Sequence, residues 1–208
     1  MPTSSHFKSH INTHFKVQMK KILFSFIVIA LTACSSTTKQ MVISPQISDI
    51  KSNIYALKTA HIKVNDLRPN SHVVAIHREG KAIELVSAHD HIDTIISRLF
   101  KQSYNDNGLT IKDNSMFDSS INNIELIINT AEVHVYQELM KYKTTSQLTL
   151  TAKVITGEKT LIKTFKNKGK SDGVLSADLA VLERNFNQQI SDTITLIVND
   201  NEIQQFLK

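Results

Sequence analysis

The run Gln147-Leu148-Thr149-Leu150-Thr151-Ala152-Lys153-Val154 alternates apolar and polar residues without a break. A period of two is the mark of a strand with one face in a core and the other toward water. The face bearing Gln147, Thr149, Thr151 and Lys153 is therefore expected to be polar and wet. Downstream, Thr156-Gly157-Glu158-Lys159 reads as a turn into a second run, Leu161 to Phe165, with Gly169 and Gly173 marking its exit. Upstream, Ile124, Leu126 and Ile128 alternate, but Val133 and Val135 carry the opposite phase, so a bulge or bend is predicted near Thr130. Together these runs make a β-meander.

Helical spacing brackets the meander. Ile92, Ile95, Ile96, Leu99 and Phe100 fall on one face of a helix, with Asp93, Arg98 and Lys101 on the other. Ser87, with Asp90 three residues on, approximates a capping box and is the predicted start; Gly108 is the predicted stop. A second helix is predicted from about Ser176 to Val198, because Leu179, Leu182, Phe186, Ile190, Ile194 and Ile197 recur by threes and fours. A last turn, Glu202 to Leu207, offers Ile203 and Phe206 to the core.

Nearer the N-terminus, Ile62 and Val64 alternate with polar residues, and Asp66-Leu67-Arg68-Pro69-Asn70 closes that strand as a turn. Val73 to His77 and Ile83 to Val86 flank Arg78-Glu79-Gly80-Lys81 as a hairpin, while Gln46 to Thr59 is ambiguous. Met41 to Pro45 reads as a short edge strand. Strands, helix, strands, helix predict an α+β fold: two layers, a mostly antiparallel sheet, and two amphipathic helices packed on one face.

The N-terminal fifth has a different logic. Met19-Lys20-Lys21 precedes a short apolar run, Ile22 to Leu31, and then Leu31-Thr32-Ala33-Cys34. A basic start, an apolar middle and a small-residue cleavage site make a secretory signal, and the run is too short to span a bilayer. Cut between Ala33 and Cys34, the mature chain would begin at its only cysteine, in the manner of a bacterial lipobox that places a diacylglyceryl group on the thiol. The expected organisation has four parts. Residues 1–18 are upstream sequence from a wrong start, or else a long n-region. Residues 19–33 are the removed signal, 34–41 the lipidated cysteine and tether, and 42–208 one periplasmic domain. Ser35-Ser36-Thr37-Thr38-Lys39-Gln40 has almost no apolar content, which gives a flexible tether with a reach of about 15–20 Å.

The formal net charge of +5 is mostly the signal's. Lys8, Lys16, Lys20 and Lys21 lie before Cys34 with no acidic residue among them, so the mature chain has 20 basic against 19 acidic side chains and a net charge of +1. That is no footprint for nucleic acid. The local run Lys163, Lys166, Lys168, Lys170 is read as a solvated hairpin or edge strand, with a patch for an acidic partner as the alternative. Once Cys34 is acylated no thiol is left to pair, so the fold must hold without disulfides in an oxidising compartment.

In this order the pieces resemble the YajG family of bacterial lipoproteins. They are the lipobox, Val42-Ile43-Ser44-Pro45, Ile62-Lys63-Val64-Asn65-Asp66-Leu67-Arg68, the helix ending at Gly108, the meander, the long helix and the ending Ile203-Gln204-Gln205-Phe206-Leu207-Lys208. The resemblance implies an outer-membrane lipoprotein with a periplasmic α+β domain and no established activity. It also implies sorting: an Asp after the lipidated cysteine retains enteric-type lipoproteins in the inner membrane, and Ser35 stands there instead.

Chemistry in the domain is sparse. His89-Asp90-His91-Ile92-Asp93 is its densest polar cluster. On a helix His89 and Asp93 would share a face, but a metal site needs a third ligand, from His61, His72, His77 or His134. The bland reading is a helix start whose carboxylates complement the dipole, and no metal ligands are assigned. Asp66 and Arg68, two apart at a strand end, form either a structural ion pair with an Asx-type turn or a contact point for a partner. Gly169-Lys170-Ser171 lacks the P-loop's earlier glycine, because Thr164 occupies that position. No G-x-S-x-G occurs, and nothing places two of Glu84, Glu132 and Glu138 across a cleft. The expectation is a non-enzyme without catalytic residues or cofactor. It is anchored to the lipid bilayer through Cys34 and presents a sheet face or edge to an unidentified envelope protein. The alternative is a carrier of a small ligand, a lipid or a cell-wall fragment, held between helices and sheet.

Overall fold

The computed structural model describes residues 39–47, 53–112 and 121–207. The signal, the lipobox with Ala33 and Cys34, and the sorting position Ser35 lie outside the described residues. Lys39 to Lys208 forms a compact unit.

Eight strands form one curled sheet: β1 (Gln40–Met41), β2 (Thr59–Asp66), β3 (His72–Arg78), β4 (Glu84–Ala88), β5 (Thr110–Ile111), β6 (Asn122–Gln137), β7 (Lys141–Thr156) and β8 (Lys159–Val174). Three helices are present among the described residues: α1 (Ile92–Asp106), α2 (Leu179–Val198) and the short α3 (Asn201–Phe206). The spatial order is β1-β4-β3-β6-β2-β5, with β7 on the other edge of β6 and β8 outside β7.

The meander is present, and so is its bulge: the β6–β7 register shifts between Ile128 and Thr130, where the apolar phase of the sequence changes. Ile124, Leu126 and Ile128 are buried before it, and Val133 and Val135 after it. The extra residue lets one long strand keep both apolar sets on the core side. Both long helices bury the predicted stripes: Ile92, Ile95, Ile96, Leu99 and Phe100 on α1, and Leu182, Phe186, Ile190, Ile194 and Ile197 on α2. These side chains and the inward sheet residues make one core. The stretch left ambiguous in sequence contributes Tyr55, which is 1% exposed and donates its hydroxyl to the Val198 carbonyl at 2.7 Å. Burial pushes that hydroxyl's pKa up to about 12.

The sheet is not the mostly antiparallel, two-layer arrangement expected. Four of its strand pairs are parallel: β1 with β4, β2 with β5, β2 with β6, and β3 with β6. β2 and β3 run in the same direction along one edge of β6, β2 against Asn122–Ile128 and β3 against Val133–Gln137. Between them the loop 67–71 passes the bulge. The cause is α1, which carries the chain from β4 back to β5 and β6. The whole connection from β3 to β6, through β4, α1 and β5, is long enough to bring β6 back parallel to β3, while β5 and β6 run opposite to β4; hairpin logic supplies only antiparallel neighbours.

Local expectations fail at three further places. Ser87 does not cap α1: it lies in β4, paired with Gln40 and His72, and the N-cap is His91 with no side-chain cap. A ladder on both sides holds Ser87 extended, which overrides its capping propensity. α2 starts at Leu179 rather than Ser176, with the Asp178 carboxylate accepting from the Ala180 N–H at 2.9 Å. Gly169 and Gly173 do not mark an exit, because β8 continues to Val174. They are small because of their neighbours: a Cβ on Gly173 would stand 2.6 Å from the Tyr142 ring, and one on Gly169 2.5 Å from Ser146 Oγ. Gly108 does end α1, in a left-handed conformation of φ 90° that suits glycine.

Candidate functional site

Asp66 ends β2 and Arg68 sits in the loop beside the β6 bulge. Arg68 Nε and Nη2 donate to Asp66 Oδ1 and Oδ2 at 3.0 and 2.8 Å, and the Arg68 backbone N–H reaches Oδ1 at 3.0 Å. Nη1 donates to the Ala131 carbonyl at 3.4 Å, just past the bulge. This is the ion pair and Asx-type turn together, clipping the β2–β3 break onto β6. The Arg68 side chain is only 8% exposed. Burial alone would raise the Asp66 carboxyl, but the Arg68 hydrogen bonds and charge outweigh it and hold that group below its usual range.

The clip borders a cleft of about 540 Å³ whose other wall includes Ser87, His89, Asp90 and His91. The structure thus brings together the two polar groups singled out in sequence. It does not make a metal site of them. His89 precedes the helix, its Nδ1 lies 3.1 Å from Gln40 Oε1, and its N–H donates to the Met41 carbonyl. The helical geometry that would align His89 with Asp93 is absent, since α1 begins at Ile92. Among the described residues no group of three or more His, Cys, Asp or Glu side chains is placed to hold a metal ion.

Two of the suggested third ligands instead meet each other. On the outer sheet face His77 Nε2 stands 3.1 Å from His134 Nδ1, and Tyr136 stacks on His77 with centroids 4.9 Å apart. Glu132 lies 3.5 Å from His134 Nε2. The meeting rests on the β3–β6 register, Ala75 beside His134 and His77 beside Tyr136, which no local pattern encodes.

The lysine run divides by strand parity. Lys163 points to the helix side, where its Nζ contacts Asp200 at 2.7 Å and Glu202 at 2.9 Å. Asp200 also caps α3 through the N–H groups of Glu202 and Ile203. Lys166, Lys168 and Lys170 are exposed on the opposite face of β8, and no ion pair joins them to the described residues. β8 pairs only with β7, so among the described residues its outer backbone edge is open along all 16 positions.

Between α2 and strands β6–β8 lies a smaller cavity of about 210 Å³, lined by Thr144, Ser146, Asn167, Phe186 and Gln189 among others. Gln189 Nε2 donates to the Asn167 carbonyl at 2.8 Å. The space is smaller than the roughly 300–1,000 Å³ of a typical ligand pocket. The apolar stripe of α2 is buried in the core from Leu182 to Val198. Among the described residues no helix is long and apolar enough to cross a membrane.

Comparison with known proteins places residues 45–208 in a family described as uncharacterized lipoprotein. No curated protein matches the chain. Among solved structures, protein XCC0632 from Xanthomonas campestris, of family DUF330, is similar at 10% identity and a TM-score of 0.57, covering 81% of this chain and 97% of its own. A neuraminyllactose-binding hemagglutinin homologue from Helicobacter pylori matches at 10% identity and a TM-score of 0.47, over 81% of this chain and 96% of its own. Rare lipoprotein B from Shewanella oneidensis matches at 15% identity and a TM-score of 0.37, over 69% and 98%. At 10% identity, the likeness to the Xanthomonas protein is one of fold alone.

Proposed function

The chain belongs to the YajG family of uncharacterized lipoproteins, and we propose that it is a non-enzymatic accessory protein of the envelope. It is held on the outer membrane through acylated Cys34, faces the periplasm, and receives an extended acidic segment of a protein partner along β8. The observation that carries this reading is the 16-residue edge that no described strand covers, with the ammonium groups of Lys166, Lys168 and Lys170 on one face and no ion pair to them among the described residues. Strand addition uses the backbone edge for affinity and the side chains for choice. Lysines on an edge bar a second copy of the same strand by like charge, and they favour an acidic one. The Asp66–Arg68 pair supports the reading as a positioning element. Its guanidinium is committed internally, and the adjoining Pro69-Asn70-Ser71 segment lines the neighbouring cleft. Ser35, rather than Asp, after the lipidated cysteine agrees with export to the outer membrane.

In-cell photocrosslinking tests the partner. A photoreactive residue at Lys168 is expected to give a discrete adduct with one envelope protein. Lys166→Glu and Lys170→Glu together are expected to abolish it, while a probe at exposed Glu158 gives none. An adduct that survives the charge reversal would contradict the β8 assignment. The second reading, a small-ligand carrier, is disfavoured by the size of the α2–β8 cavity.

A further inference from the structure

We propose that the sheet end built from the β6–β7 hairpin tip and the exit of β8 is a second membrane contact, resting in the headgroup zone of the bilayer that holds Cys34. This rests on the anchor reading above. Large apolar side chains are exposed together there: Leu139 at 96%, Met140 at 66%, Val174 at 77% and Leu175 at 61%. Ile83, in the β3–β4 loop at the same end, is 54% exposed. The registers bring them to one end, because Arg78 lies beside Gln137 and Lys141 beside Val174.

The tip is held rigidly. The Leu175 N–H donates to the Met140 carbonyl at 2.9 Å, and Gln137 Nε2 donates to the Leu175 carbonyl at 2.6 Å. Leu175 adopts a φ of 65°, a left-handed conformation that is unfavourable for a residue with a side chain. The fold thus fixes an exposed leucine in place. Exposed apolar groups clustered at one end mark a docking surface.

The path of the chain says what covers it. β1 runs parallel to β4, with Gln40 beside Ser87 and Met41 beside Ala88. β4 itself starts at the tip end, since Glu84 lies beside Ile76 near the end of β3. The chain therefore enters β1 from the tip side, and Lys39 Nζ lies 3.9 Å from Glu84. Cys34 is five residues before Lys39, a reach of at most about 17 Å even fully extended. The acylated end, and with it the bilayer, is then held within that reach of Lys39, whose strand is entered from the tip side. Lys141 and Lys143 stand just behind the apolar tip, where long amines can meet lipid phosphates while their stems stay apolar. Glu138, also at the tip, is engaged by Lys141 at 3.2 Å.

The test uses the full acylated protein in vesicles of phosphatidylethanolamine and phosphatidylglycerol. One version carries an environment-sensitive fluorophore through Leu139→Cys, another through Glu158→Cys at the β7–β8 turn, about 50 Å away along the ladder. Native Cys34 is acylated and takes no label. The Leu139 label is expected to be quenched several-fold more by headgroup-linked nitroxide lipid than the Glu158 label. Adding Leu175→Asp and Met140→Asp should reduce that excess while flotation with vesicles persists. Equal quenching at both positions, with flotation intact, would overturn the contact alone and leave the tip to a protein neighbour. Failure of the unmodified protein to float would overturn the anchor and the contact together.

Discussion

Replacing Cys34 with alanine is expected to remove the protein from the outer-membrane fraction entirely, as a soluble periplasmic form or an uncleaved precursor. Acyl chains contribute about 0.8 kcal/mol per buried methylene, so a chain of about 15 methylenes supplies roughly 12 kcal/mol, and a second chain makes the anchor effectively permanent. Nothing else among the described residues matches that. The apolar tip offers a few side chains at 1.5–3 kcal/mol each at most by the usual burial scale, and only if fully buried, which an interfacial contact does not achieve. Membrane fractionation with immunodetection reads the result directly. Retention of Cys34→Ala in the outer membrane would mean that the family's lipid anchor is not the attachment in this chain.

Phe186→Ala is expected to lower stability by about 3–5 kcal/mol. Phe186 is 1% exposed, at the middle of the α2 stripe between Leu182 and Ile190, and packs in the core shared by sheet and helices. Removing the ring forfeits its transfer free energy and leaves a cavity beside the α2–β8 space, which also touches Phe186. Against a typical total of about 5–15 kcal/mol, without a disulfide to help, such a loss is large. Thermal denaturation should show the midpoint falling by ten degrees or so, on the order of a few degrees per kcal/mol for a domain of this size. A loss under about 1 kcal/mol would mean the residue is not packed as described.

The meander, its bulge and the two long helices could be read from the residues because each is written locally. Period two gives a strand, the phase change between Ile128 and Val133 gives the extra residue, and recurrence by threes and fours gives a buried stripe. The Asp66–Arg68 pair was local too, separated by one residue, and its structural form is the clip now seen. What could not be read depends on pairing between distant segments. β2 and β3 lie end to end along β6 because the loop 67–71 continues the chain in one direction and the long connection through β4, α1 and β5 returns it parallel, and adjacent runs of sequence do not announce that. The same cause hides the His77–His134–Tyr136 stack, which only the β3–β6 register creates. Ser87 misled because a good capping residue was already committed to two β-ladders. The lysine run looked like one patch until strand parity sent Lys163 to Asp200 and left Lys166, Lys168 and Lys170 on the other face.

Anchor, sorting and the orientation of the tip all depend on the first residue of the mature chain. Intact-mass measurement of protein extracted with detergent from native membranes reads it in one spectrum. The expected species begins at Cys34, lacks residues 1–33, and carries the added mass of an S-diacylglyceryl group and an N-terminal acyl chain. A chain that keeps residues 19–33, or begins at Cys34 with a free thiol, would contradict the membrane address and the membrane-facing tip at once.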